Sequence, residues 1–178
     1  MLQAEQADNS VLTTLFHHNT WANLKLLDVC AALSEAQLDT TATGTYGSIR
    51  DTLRHIVRGE VSYVQRVNGR LPAEPPPWDG FPGFAVLKAA VRWAGDELLL
   101  LAQSARADTL VNEYDPDVKM TAQYPLADLI VQAITHSTEH RTQVSTILTQ
   151  LGLEPPDLSG WQYMVEAGEF REIAETES

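Results

Sequence analysis

The chain of 178 residues has one cysteine, Cys30. An internal disulfide is therefore impossible, and a reducing compartment is the simpler setting. Cys30 itself reads as a small apolar residue on a helix. Cations are scarce too: 12 Lys and Arg stand against 24 Asp and Glu, for a formal net charge of −12. Such a surface repels phosphate backbones and anionic headgroups, which argues against nucleic acid and membrane as partners. No stretch approaches the roughly 18 apolar residues of a membrane span. The N-terminal MLQAEQADNS lacks a basic region followed by an apolar run, so a cytoplasmic location is expected. Internal repeats and convincing strand alternation are missing as well.

What is present is helical periodicity. The length suits one domain over 1–178, with a core from about 10 to 165 and an acidic, loosely ordered tail. Leu12, Leu15, Asn19, Ala22, Leu26, Val29 and Leu33 recur at spacings of three and four, a seam with one polar interruption. Ser10 is placed to cap that helix. Ser48 opens a second helix in SIRD, and Asn68-Gly69 closes it. Its apolar side is Ile49, Leu53, Ile56, Val57, Val64 and Val67. LPAEPPPWDGFPG has five prolines and two glycines and must be a connector. A third helix is expected from about 83 to 105 on Phe84, Leu87, Val91, Ala94, Leu98 and Leu101. The polar stretch Asp108 to Gln123 separates it from a fourth, which starts near Pro125 and ends at Gly152. A short extended piece before Tyr124-Pro125 fits that stretch. Four helices of about 20 residues predict an all-α fold, a four-helix bundle; the long connectors suit a crossover arrangement.

The fourth helix contains THSTEHRTQ, Thr135 to Gln143. At about 100° per residue, His136 and His140 differ by about 40° around the helix, and Glu139 and Gln143 fall within about 60° of His136. This polar group continues a stripe of Leu129, Ala133, Ile147 and Leu151, so it lies where the core should be. Buried without partners, each polar group costs roughly 1–3 kcal/mol. Two remedies stand open: a hydrogen-bonded core pair, or a metal held by imidazoles at i and i+4. His55 shares a face with Ser48, Asp51, Thr52, Gly59 and Ser62, which fits a surface histidine or a pocket. His17 and His18 lie off the first seam and read as solvent-facing. Trp21, Trp78, Trp161 and Tyr163 suit packing or a pocket wall.

LRHIVRGEVSYVQRVNG around His55, HSTEHRTQVSTIL around His136 and NTWANLKLL in the first helix together resemble the DinB-like family, over Leu12 to Trp161. The resemblance implies a four-helix bundle with a crossover and a divalent metal, zinc or nickel first, held by His55, His136 and His140. It implies a homodimer and a small-molecule substrate. Glu139 stands where many relatives have histidine, while Arg141 and Gln143 fit the family's pattern. Three neutral imidazoles leave a coordination position open. A low-molecular-weight thiol could then be ionised there for an S-transferase or isomerase reaction, as among relatives. Alternatively, a water is activated for hydrolysis with Glu139 as proton relay. A third reading is a metal- or ligand-binding stress-response module without catalysis. HxxEH also matches an inverted zinc-protease motif, but only 38 residues follow His140 and the α/β context is missing.

Overall fold

The computed structural model describes residues 10–106, 108–115 and 119–171. The end of the acidic tail lies outside the described residues. Four long helices form where periodicity places them: α1 (Ser10–Cys30), α3 (Ile49–Asn68), α4 (Phe84–Ser104) and α5 (Leu126–Gln150), with short α2 (Glu35–Leu38) and α6 (Gly160–Glu166) between and after. α1 packs on α4 and α5, and α3 packs on the same two. Ser48 caps α3 by accepting from the Asp51 N–H, and Gly69 ends it at φ 71°, a left-handed conformation that glycine adopts without steric cost.

The chain is mostly helical as expected, and the polar stretch between α4 and α5, where a short extended piece is expected, holds two short strands. Leu110–Asp115 (β1) and Met120–Pro125 (β2) form an antiparallel hairpin, with Val111 opposite Tyr124 and Glu113 opposite Ala122. Among its described side chains only Val111 is buried, so the alternation that would reveal a strand pair is faint in the sequence. The hairpin rests on α3 through Val111 and an Arg66–Glu113 ion pair. Pro125 ends β2 and is also the residue before α5, so the hairpin feeds directly into the helix that bears two of the histidines.

The α1 seam holds at Asn19, Ala22 and Leu26, which are buried, but Leu15 is 41% exposed and the buried face widens to include Phe16, Asn23, Leu27 and Cys30. Asn19 interrupts the leucine pattern because that pattern assumes a wholly apolar interior. The interior is in fact divided. One apolar cluster collects Leu26, Leu27, Leu53, Val57, Leu87, Val91, Val144 and Ile147. A second collects Phe16, Val64, Leu98, Val111, Leu126, Leu129 and Ala133. Between them along α1, α3 and α5 lie the buried polar side chains Asn19, Asn23, Glu60, Ser137 and Arg141. The proline connector is tied down by Trp78 and Phe81, which pack against the first cluster.

No helix among the described residues is long and apolar enough to cross a membrane.

Candidate metal centre

His55 projects from the middle of α3, and His136 and His140 from successive turns of α5. One nitrogen from each lies within 4.8 Å of the others. His55 Nε2 and His136 Nε2 face each other at 3.0 Å. The close approach is made possible by Gly59, one turn after His55. A Cβ there would sit 2.9 Å from His136 Cε1, so the imidazole lies directly on the α3 backbone. The small residue whose role in the sequence was only to leave space thus seats the second histidine.

Two tyrosines flank the cluster. Tyr46, in the loop before α3, stacks on His55 with ring centres 3.9 Å apart and planes 14° from parallel, and meets His140 edge-on at 5.4 Å. Tyr63, two turns after His55, meets His136 edge-on at 5.8 Å. Beyond Tyr63 opens a cleft of ≈ 430 Å³ whose lining includes Arg66, Asp128 and Gln132. Another cleft, of ≈ 540 Å³, lies along α1, α4 and α6 and contains none of the three histidines.

The electrostatics favour the neutral form of His136 and His55. Burial, then His140 and His55, pushes His136 down to about 4. Burial, then His140, Arg58 and Arg54, lowers His55. Neutral imidazoles are the form that binds metal. His136 Nδ1 is buried without a hydrogen-bond partner, and its Nε2 faces another ring nitrogen. A cation shared between His55 and His136 would use both facing lone pairs at once, whereas a direct hydrogen bond uses one donor and one lone pair. The donor set therefore fits a divalent ion of the kind imidazole prefers.

Next to this cluster, the polar layer ties three helices together. Glu60 Oε1 accepts from Asn19 Nδ2 at 2.6 Å, Asn23 Nδ2 at 2.7 Å and Ser137 Oγ at 2.9 Å. Arg141 Nη1 donates to Asn19 Oδ1 and Asn23 Oδ1 at 2.7 and 2.8 Å. Both amides must present oxygen to the guanidinium, which only donates, and hence nitrogen to the carboxylate. Burial raises the Glu60 carboxyl above its ordinary range, against its three hydrogen bonds and Arg141. Burial also lowers Arg141, to about 10. Both shifts have one cause, the penalty that burial places on a charged form. The hydrogen-bond directions favour the charge-separated form, because each amide bridges a donor to an acceptor. Ser137 adjoins His136 and Glu60 adjoins Gly59, so the layer holds in register the backbone segments that bring the histidines together.

Other sequence candidates fall elsewhere. Glu139 is exposed on α5 and is not in the three-histidine group. His17 is exposed, but His18 is half-buried, donates from Nε2 to the Leu158 carbonyl at 2.9 Å and packs with Trp21 and Tyr163. Its solvent-facing assignment fails because α6 and the segment before it fold over that side of α1. Trp161 is 71% exposed and Trp78 lies in the core margin. Cys30 is fully buried, and burial pushes its thiol up to about 12, as suits an inert apolar role. Tyr46, Tyr63 and Glu60 went unnoticed in the sequence. Glu60 had a signal: it falls among Ile56, Val57, Val61 and Val64, a charge on an otherwise apolar face.

A largely helical chain with histidines converging from two helices defines a class of candidate metalloprotein. The DinB family model matches residues 1–175, essentially the whole chain, and the protein belongs to the DinB family. Comparison with curated proteins finds no match.

Proposed function

We propose that the protein is a metal-dependent enzyme of the DinB family whose centre is His55, His136 and His140, acting on a small molecule with a low-molecular-weight thiol as cosubstrate. The observation that carries the reading is the convergence of three imidazole nitrogens within 4.8 Å, with no carboxylate in the group. Imidazoles bring no negative charge, so a divalent ion would keep its full charge. When bound, such an ion supplies Lewis acidity and makes a nucleophile available at neutral pH. The protein's own groups do the rest. Tyr46 covers one side of the histidines and Tyr63 separates them from the neighbouring cleft, whose mixed Arg66, Asp128 and Gln132 lining offers polar contacts to a substrate. Zinc or nickel suits the donors.

In this reading the four long helices are a four-helix bundle with a crossover, and two copies associate as a homodimer in the cytoplasm. The test is metal analysis of the purified protein beside His55→Ala and His136→Ala. About one ion per chain is expected in the wild type and little in either variant. Full occupancy in both variants would overturn the site. Thiols offered with generic electrophiles should then give metal-dependent turnover. A metal-loaded protein with no turnover would point to a binding module instead. Glu139→Gln separates the hydrolytic alternative, since only there does the carboxylate move a proton.

A further inference from the structure

Gln143 lies two residues past Arg141 on α5 and touches two parts of the site with one atom. Its Oε1 receives the backbone N–H of Tyr46 at 2.9 Å. The same Oε1 lies 3.0 Å from His140 Nδ1. A backbone N–H only donates, so the amide must present its oxygen here, which fixes the orientation of the Gln143 side chain. An amide oxygen only accepts, so His140 Nδ1 must carry the proton. The lone pair of His140 is then left on Nε2. The tautomer of this histidine is thereby set by a loop residue 94 positions before it.

We infer that Gln143 is a positioning residue with two linked tasks: it holds His140 with Nε2 available to a metal, and it latches the Tyr46 loop over the cluster. The inference rests on the metal-centre reading for its first task only. Tyr46 is 55% exposed yet stacked on His55 and edge-on to His140. A side chain so exposed keeps that position through its ring contacts and through the long-range hydrogen bond of its backbone to Gln143. Breaking that bond frees the loop and the imidazole together. A polar partner of this kind on a ligating histidine is commonly worth about 10–100-fold in metal affinity.

Two substitutions separate this role from a merely structural one. Gln143→Leu removes the acceptor at similar size, and Gln143→Glu keeps two acceptor oxygens. Zinc affinity, measured by competition with a chelating dye, should fall about 10–100-fold in the Leu variant and stay within a few-fold of wild type in the Glu variant. Amide exchange at Tyr46 should accelerate in the Leu variant only. In metal-free protein, imidazole ¹⁵N shifts should report an Nδ1-protonated His140 in the wild type and in Gln143→Glu, and a mixture of tautomers in Gln143→Leu. This last measurement needs no metal, so it tests the latch even if the wild type binds no zinc, an outcome that would sink the metal reading alone. An unchanged His140 tautomer with unchanged Tyr46 exchange in a folded Gln143→Leu would overturn the inference. Equal losses in the Leu and Glu variants would overturn it as well.

Discussion

At the residue scale, Gly59 and His136 act as a pair. Alanine at 59 should help the helix, since glycine costs about 1 kcal/mol relative to alanine in a helix interior. The new Cβ would nevertheless sit 2.9 Å from His136 Cε1 and 3.4 Å from its Nδ1, and the imidazole must move. Overpacking of this kind costs about 1–3 kcal/mol. Gly59→Ala is therefore expected to leave Tm unchanged or lower it, the helix gain being offset or exceeded, while weakening zinc binding by about tenfold or more. A variant with both properties intact would show that His136 has room to retreat. Acid should act on the same ring. His136 is held at about 4, below its ordinary 6.5, so between those values the unfolded chain takes up a proton that the folded chain refuses. Stability therefore rises with pH across that window: it is fully present above 6.5 and is lost as pH falls toward 4. Metal-free Tm should drop on acidification, and the slope should flatten in His136→Ala. An equal slope in both would assign the acid sensitivity elsewhere.

At the scale of elements, the decisive feature is the polar layer across α1, α3 and α5. Arg141→Met leaves Glu60 buried with its two bridging amides unanchored, and breaking a buried charge pair from one side costs about 3–5 kcal/mol. Denaturant unfolding should show that loss, and adding Glu60→Leu should recover much of it. A single variant within about 1 kcal/mol of wild type would mean that the layer is dispensable for stability. The same layer explains what the sequence could and could not say. Helix positions were legible because Leu53, Val57, Leu87, Val91, Leu98 and Ile147 follow the 3.6-residue period. The grouping of His136, His140 and Gln143 on α5 was legible for the same reason, since four-residue spacing is local. The convergence of His55 was not, because it depends on the packing of α3 against α5, and only the family resemblance suggested it. Tyr46 was hidden for a related reason: it belongs to an irregular loop, where no period constrains which way a ring points. Of the hairpin only an extended piece before Tyr124-Pro125 was legible; the first strand and the pairing escaped because strands with so few buried side chains carry little pattern.

For the whole molecule, the metal reading makes a thermodynamic forecast. An ion that binds only the folded chain adds about 2.7 kcal/mol at a free concentration 100 times its Kd. For a domain of this size that corresponds to a rise in Tm of about 5–11 °C. Zinc should produce such a rise in the wild type and none in His136→Ala, measured by thermal shift; equal rises would place the ion elsewhere. The facing pair of His55 and His136, 81 residues apart in sequence, has a consequence for folding as well as for binding. A helix that slipped by one turn could still bury leucines against leucines, because apolar contacts are forgiving of partners. It could not bring those two nitrogens to 3.0 Å. Metal uptake would thus act as a proofreading step, rewarding the native register over compact near-misses that hydrophobic burial alone barely distinguishes.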